Sequence, residues 1–229
     1  MARRRRKASF TPILLVCVAV ALAALAWMNS GWIRAHFDAL DSKSASSVSV
    51  AADRVDPANE GRHVHIAGQL EVGTPARDEQ LGVGANAAVL LRKVEMYQWR
   101  EHCSGTDCTY EAAWSRQPID SRKFRRAEGH ENPPPRLADA RFASDSIRVG
   151  AFSIAADVVA QGAVIDLPVH TTDLLPNLAA SFSDANGSLY AGGDPAHPKV
   201  GEVRVSYAIV PPGSVELSGV QRGGSLVAQ

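Results

Sequence analysis

Cysteine is scarce, aromatic residues are few and net charge is absent. The 229 residues hold three cysteines, 6% aromatics, and 24 Lys or Arg against 24 Asp or Glu. Three cysteines cannot form the several bridges that hold a small secreted scaffold together, so the fold must rest on an apolar core. Apolar residues make up 45% of the chain, enough for such a core and too many for wholesale disorder. The length suits one ordinary domain plus an anchor. Also missing are G-x-G-x-x-G, the phosphate-binding G-x-x-x-x-G-K-[ST], G-x-S-x-G and H-E-x-x-H. Leu81-Gly-Val-Gly-Ala85 has glycines without the phosphate-loop spacing, so a turn is expected there. No internal repeat and no heptad pattern is present. The charge that exists is unevenly spread. Arg3, Arg4, Arg5, Arg6 and Lys7 carry five of the positive charges, leaving 19 against 24 elsewhere. A mildly acidic remainder is a poor polyanion binder, so no nucleic-acid partner is expected.

What is present is one long apolar run. Residues 8–33 contain no charged side chain, and Ile13, Leu14 and Leu15 open a stretch that is almost wholly aliphatic to Ala26. Crossing the hydrocarbon core takes about 20 helical residues, which residues 10–33 supply. Trp27 and Trp32 stand at the exit, where indoles settle among headgroups. The basic cluster precedes the entry, and an excess of Lys and Arg stays cytoplasmic. The expected order is a basic cytoplasmic tail (1–9), a transmembrane helix (10–33), a juxtamembrane helix or linker (34–55) and an extracytoplasmic β-rich domain (56–229), periplasmic or lumenal. A cleaved signal peptide with Ala24-Leu25-Ala26 as its processing site is the alternative; the length of the run favours a retained anchor. The membrane is the first expected partner.

Residues 38–55 are serine-rich, with Leu40, Val48 and Val50 at loose helical spacing, and a helix is expected over them. Asp56-Pro-Ala-Asn-Glu-Gly61 is turn chemistry and opens the domain. Apolar residues alternating with polar ones imply strands over 62–68, 87–101, 109–114, 202–210, 214–220 and 225–227, and over 140–152 with a bend at Gly150. The second and third of these form a long hairpin whose tip holds Cys103 and Cys108. A close pair outside the membrane points to a disulfide across that tip in an oxidising compartment, against two free thiols. Asn132-Pro-Pro-Pro135 reads as an extended link. Residues 158–169 are strand-like between turns. Thr171-Thr-Asp173 caps an expected helix over 174–182, with Leu174, Leu175, Leu178 and Phe182 at helical spacing and Pro176 in the first turn. Several strands, one or two helices and no βαβ alternation imply an α+β fold, mainly antiparallel.

Side chains with chemical potential are dispersed. On a strand, Glu95, Tyr97, Trp99 and Glu101 share one face. Glu95 and Glu101 would lie about 20 Å apart, too far for paired-carboxylate catalysis. Aromatics on such a face pack or make contacts, and Glu95 is expected to pair with a basic neighbour. His63 and His65 also share a face. His102, Cys103, Cys108 and His130 make a second partial ligand set. A metal site needs three or four ligands in fixed geometry, so a surface histidine pair and a disulfide are the plainer reading. No metal and no cofactor are expected. Arg122, Lys123, Arg125 and Arg126 surround Phe124 in a basic run that reads as a solvated loop, with headgroup contact as the alternative.

Leu90-Leu-Arg-Lys-Val-Glu-Met-Tyr-Gln-Trp-Arg-Glu101 closely resembles the signature of the transmembrane protein 43 family, also called LUMA. Gly61-Arg-His-Val-His-Ile-Ala-Gly68 before it resembles the family's first strand. Residues 110–114, Gly129-His-Glu-Asn-Pro133, Arg148-Val-Gly-Ala-Phe152 and Val200-Gly-Glu-Val-Arg-Val-Ser-Tyr207 follow in the family's order. The resemblance spans residues 55–229. It makes Glu95, Met96, Tyr97, Gln98, Trp99, Glu101, Asn132 and Pro133 the candidate interaction or structural residues, and it transfers no catalytic residue. It implies an N-terminal span, a large lumenal or periplasmic domain and further spans near the C-terminus. Animal members are associated with the endoplasmic reticulum and inner nuclear membrane, have emerin and lamins as partners, and organise membrane protein complexes. No second apolar run precedes Gln229, so a single-pass member or a fragment is expected. The expectation is a membrane-anchored scaffold, not an enzyme, that binds other membrane proteins or copies of itself through its outer domain. One alternative is a tethered enzyme using Glu95, His65 and His130, recognisable by a deep pocket gathering them. The other is a lipid-contacting module with apolar and basic residues on its membrane-facing side.

Overall fold

Period-two alternation decides which strands of this chain can bury a common face. The computed structural model describes residues 47–160 and 162–229. The strands come first in chain order as β1 (Val48–Ser49), β2 (His63–Val72), β3 (Ala76–Arg77), β4 (Gly84–Ala85), β5 (Val89–Ser104), β6 (Asp107–Ser115), β7 (Ala140–Ala143), β8 (Ile147–Val149) and β9 (Phe152–Ile154). The one-turn helix α1 (Ala156–Val159), β10 (Ile165–Leu167), a second one-turn helix α2 (Pro176–Ala179), β11 (Ser183–Ala185) and β12 (Ser188–Ala191) follow. The chain closes with β13 (Val203–Val210), β14 (Gly213–Arg222) and β15 (Ser225–Val227). The folded unit runs from Val48 to Gln229 and is mainly β.

Five strands form a small closed barrel. β2 pairs with β14, β14 with β15, β15 with β9, β9 with β8, and β8 returns to β2. Closure leaves these strands no open edge along the ring. Val64, Ile66 and Leu70 of β2 meet Val149, Phe152, Leu217 and Leu226 in its core. Gly150 turns the chain between β8 and β9 at φ +57°, where a Cβ would stand 2.2 Å from the Ala52 carbonyl oxygen.

The other strands form a seven-stranded sheet around β5 and β13, which pair from Val89–Val210 to Met96–Val203. β10 and β12 share the outer edge of β13, and β7 and β6 share the outer edge of β5. Asn186 and Gly187, both at positive φ, make the two-residue turn between β11 and β12. Val89 and Val210 enter the barrel's core, while Leu90, Val94, Leu189, Val205 and Tyr207 build a second core on the sheet.

Several local expectations change. The helix expected over 38–55 lies partly outside the described residues, and its described part is extended. Val48–Ser49 pairs parallel with β2, Val50 N donates to His65 O at 2.9 Å, and Ala52 O accepts from Ala151 N at 2.7 Å. Serines and valines at loose spacing gain more here from a sheet edge than from a helix. The helix over 174–182 shrinks to four residues because Leu175 N donates to Leu81 O and Leu174 is extended and buried in the sheet core. Residues 158–169 divide into the end of α1 and β10, since Val158 and Val159 turn onto the barrel core. The one or two helices of the expected α+β fold are thus single turns. The transmembrane helix over 10–33 lies outside the described residues. Among the described residues no helix is long and apolar enough to cross a membrane.

Where Arg92 of β5 faces Tyr207 of β13, charge enters the core. Arg92 is 6% exposed and Asp78 is fully buried. The Arg92 guanidinium donates to Asp78 Oδ2 at 2.6 Å, to Ala138 O at 3.0 Å and to Gln80 Oε1 at 3.0 Å. The Tyr207 hydroxyl donates to the same Asp78 oxygen at 2.7 Å, and Oδ1 accepts from Gln80 N and Leu81 N. Burial first, and the Asp78 carboxylate second, push the Tyr207 hydroxyl far above its ordinary pKa. Asp78→Ala strands a buried cation and is expected to cost about 3–5 kcal/mol, read as a lowered midpoint in urea unfolding. Replacing Asp78 and Arg92 together by Leu and Met is expected to cost much less than Asp78→Ala alone.

Candidate functional site

The site begins with the two faces of β5. Leu90, Arg92, Val94, Met96 and Gln98 point into the protein and are buried, while Glu95, Tyr97, Trp99 and Glu101 share the opposite face and are half-buried. β13 accompanies β5 only as far as Met96, so the hairpin of β5 and β6 continues past it. Its turn, Gly105-Thr106, has Gly105 at φ +63°. Cys103 and Cys108 face each other across the strands and are joined by a disulfide, as expected.

On the half-buried face, aromatic and charged side chains alternate. Glu95 pairs with Arg204 directly opposite, which answers the expectation of a basic partner. Arg204 lies over the Trp114 ring at 4.6 Å. Trp114 in turn meets Tyr97 edge-on at 5.3 Å and Tyr190 at 6.1 Å. Further out, Trp99 meets His130 edge-on at 4.8 Å, and His130 stacks on Tyr110 at 4.0 Å. The Tyr110 hydroxyl donates to Glu101 at 2.7 Å, and Arg125 N donates to the same oxygen at 2.6 Å. Glu101 thereby pins the basic loop, in which Ser121–Lys123 forms a single 3-10 turn, against the hairpin.

Gln98, Asn132 and Pro133 hold the edge that β13 leaves behind. Asn132 Oδ1 accepts from Trp99 N at 2.7 Å, and its Nδ2 donates to Trp99 O at 3.0 Å and Ile119 O at 3.2 Å. One side-chain amide thus gives Trp99 both hydrogen bonds that a neighbouring strand would supply. Gln98 Oε1 accepts from Ile119 N at 2.9 Å, while its Nε2 donates to Ser115 O and Gln117 O. Pro133 packs over Gly201, where a Cβ would come within 2.9 Å of the proline ring. Of the eight domain residues expected to form a site, Gln98, Trp99, Asn132 and Pro133 converge on this clamp. Glu95, Tyr97 and Glu101 lie on the half-buried face, and Met96 is buried. Ile13, Leu14, Leu15, Trp27 and Trp32 lie outside the described residues.

The partial metal sets do not assemble. Glu101, Cys103 and Cys108 bring ligand atoms within 4.8 Å of one another, but both sulfurs are in the disulfide and offer no thiolate. His102 reaches Glu111 at 3.1 Å, His65 meets Ser218 at 3.0 Å, and His130 is held between aromatic rings.

Tyr190 and Glu202 form a contact that no sequence motif signals. Glu202 accepts from the Tyr190 hydroxyl, from Gly193 N at 2.9 Å and from Lys199 N at 2.8 Å, closing the 192–201 loop. The Tyr190 bond holds the carboxyl below its ordinary value of 4.5, and burial, then Glu202, push Tyr190 up to about 12. A lone Glu directly after a Gly carries no local signal for this. Arg92 does carry one, because it falls in the buried phase of β5 and so requires a buried anion.

The sequence model for Transmembrane protein 43 matches residues 96–228. The chain belongs to the transmembrane protein 43 family. Transmembrane protein 43 of Rattus norvegicus is 30% identical over 174 residues, and that of Mus musculus 29% over 167, each alignment covering 67% of this chain. The Transmembrane protein 43 homolog of Drosophila melanogaster is 27% identical over 220 residues, or 87% of this chain and 57% of its own. The chain spans 41% of the length of the mouse and rat proteins. No solved structure matches.

Two outcomes test the site's construction. Asn132→Ala leaves Trp99 N–H and C=O unpaired at a half-buried edge, and is expected to lower stability by about 1–3 kcal/mol and speed hydrogen exchange at the Trp99 amide. Glu202 has a depressed folded pKa, so its contribution is present above 4.5 and is lost as pH falls through the folded value. The amides of Gly193 and Lys199 are therefore expected to lose protection in acid beyond the intrinsic change in exchange rate, and Glu202→Gln to remove that pH dependence.

Proposed function

We propose that this is the extracytoplasmic interaction domain of a membrane-anchored scaffold, which gathers other membrane proteins or copies of itself and catalyses nothing. The observation that carries the reading is the half-exposed face of the β5–β6 hairpin. Tyr97, Trp99, Tyr110 and Trp114 stand there with Glu95, Arg204 and Arg126, and Arg126 lies over Tyr110 at 5.4 Å. Rigid aromatics beside arginine are the side chains that anchor protein interfaces, because they bury much area at little entropic cost. The disulfide and the Asn132 clamp stiffen the same hairpin, which lowers the ordering cost of association. The apolar run at residues 10–33 and the family of the chain support the membrane anchor, with the N-terminus inside and the domain outside. The groups considered for catalysis serve other bonds, Glu95 with Arg204 and His65 with Ser218.

The test is crosslinking in intact cells of the full chain tagged after Gln229, beside Tyr97→Ala and Trp114→Ala. The expected result is one recurrent partner or a homo-oligomer, reduced about tenfold or more by either substitution, as a hot-spot loss of about 2 kcal/mol implies. Undiminished recovery from folded variants would remove this face from the interaction.

A further inference from the structure

The inner face of the sheet bears a cleft that the aromatic face does not involve. It has a volume of about 530 Å³, within the range of about 300–1,000 Å³ typical of small-molecule sites. Met96 and Val203, opposite each other in the β5–β13 register, line it. Leu81 comes from the loop held by Asp78, Leu137 from the segment after the proline run, and Leu178 and Phe182 from α2 and the turn beyond it. Leu81 and Met96 are buried, and Leu178 and Phe182 are half-buried.

Charge is distributed very unequally around this apolar lining. Among the lining residues only Arg136 is charged, and no acid faces the cleft. Arg136 is exposed and makes no hydrogen bond or ion pair with any described residue. Gln80 lines the same cleft with its Oε1 accepting from Arg92, and it has amide N–H groups to offer a ligand. Two donors, one of them cationic, therefore border an apolar lining. A guanidinium binds a carboxylate through paired hydrogen bonds, while an apolar trough gains from removing methylenes from water.

We propose that this cleft binds a long-chain fatty acid, its acyl chain lying along Met96, Leu137 and Val203 and its carboxylate held by Arg136. The volume suits a single chain, and the lack of acidic lining residues excludes a cationic head by like-charge logic. The proposal stands independently of the interaction face on the hairpin.

The experiment uses the full chain in phosphatidylcholine nanodiscs and a palmitic-acid analogue carrying a mid-chain diazirine and a terminal alkyne. Labelled peptides are mapped by mass spectrometry, and the matching fatty alcohol serves as a second probe. Labelling is expected on peptides containing Met96, Leu137 or Phe182, and stronger with the acid than with the alcohol. Val203→Trp fills the lining and is expected to lower that labelling about tenfold. Arg136→Glu, at an exposed position that leaves packing intact, is expected to lower labelling by the acid about tenfold and to leave the alcohol unchanged. If circular dichroism shows Val203→Trp unfolded, Arg136→Glu decides. The proposal is overturned by labelling confined to residues 10–33, by equal labelling with acid and alcohol, or by labelling indifferent to Arg136→Glu. A crosslink joining two chains through the cleft peptides would assign the cleft to a second copy and also overturn it.

Discussion

The buried contact of Asp78 with Arg92 and Tyr207 organises the inner half of the domain. Two ionised groups in a core are tolerable only when they are well hydrogen-bonded, and here Asp78 accepts from four donors while the Arg92 guanidinium gives three bonds. Arg92 belongs to β5, Tyr207 to β13 and Asp78 to the loop before β4, so one cluster fixes the pairing of the two central strands and the path of that loop. A register slip of one residue would carry Tyr207 to the other face and leave Asp78 short of a donor. The same guanidinium holds Ala138 O, which places the segment after the prolines across the sheet. Leu81 and Leu137, which both line the cleft, are positioned through this ion pair.

Side chains elsewhere replace strands that end early. Asn132 gives Trp99 the hydrogen bonds that β13 no longer offers, and Gln98 does the same for the chain leaving β6. Glu202 closes the loop before β13 with two backbone amides and a buried tyrosine. Exposed sheet edges invite unwanted pairing, and these amides and carboxylates cover them without adding further strands. One consequence is a stiff hairpin with its aromatic side chains on the half-buried face. Another is that Gln98, Trp99 and Asn132, in the motifs that resemble the transmembrane protein 43 family, serve the architecture of this hairpin.

The barrel and the sheet share the work of placing this hairpin. β13 continues through Pro211 and Pro212 into β14, so the sheet's central strand leads directly into the barrel's longest pairing. Residues 48–52 lie against β2 and the β8–β9 turn, which attaches the beginning of the folded unit to the barrel rather than to the sheet.

The strands β2, β5, β6, β13, β14 and β15, the hairpin with its disulfide and the family itself were all legible in the residue order. Each depends on local information: alternation of apolar residues, glycine or asparagine at a turn, two cysteines at a tip, and motifs kept in sequence. The pairing of Glu95 was legible in kind, since a half-buried carboxylate on a strand requires a cation opposite. The barrel's closure, the reduction of the expected helices to single turns, the Asn132 clamp and the cleft were not. Each arises from segments far apart in the chain, as when β2 pairs with β14 or Asp78 meets Tyr207. Local propensity over 174–182 favoured a helix, and a single bond to Leu81 together with burial of Leu174 overrode it. The sequence by itself determined the strands and the positions that demand partners. Only the tertiary structure decided which distant groups meet those demands, because burial makes an unpaired charge or amide costly enough to select among the arrangements that local preferences allow.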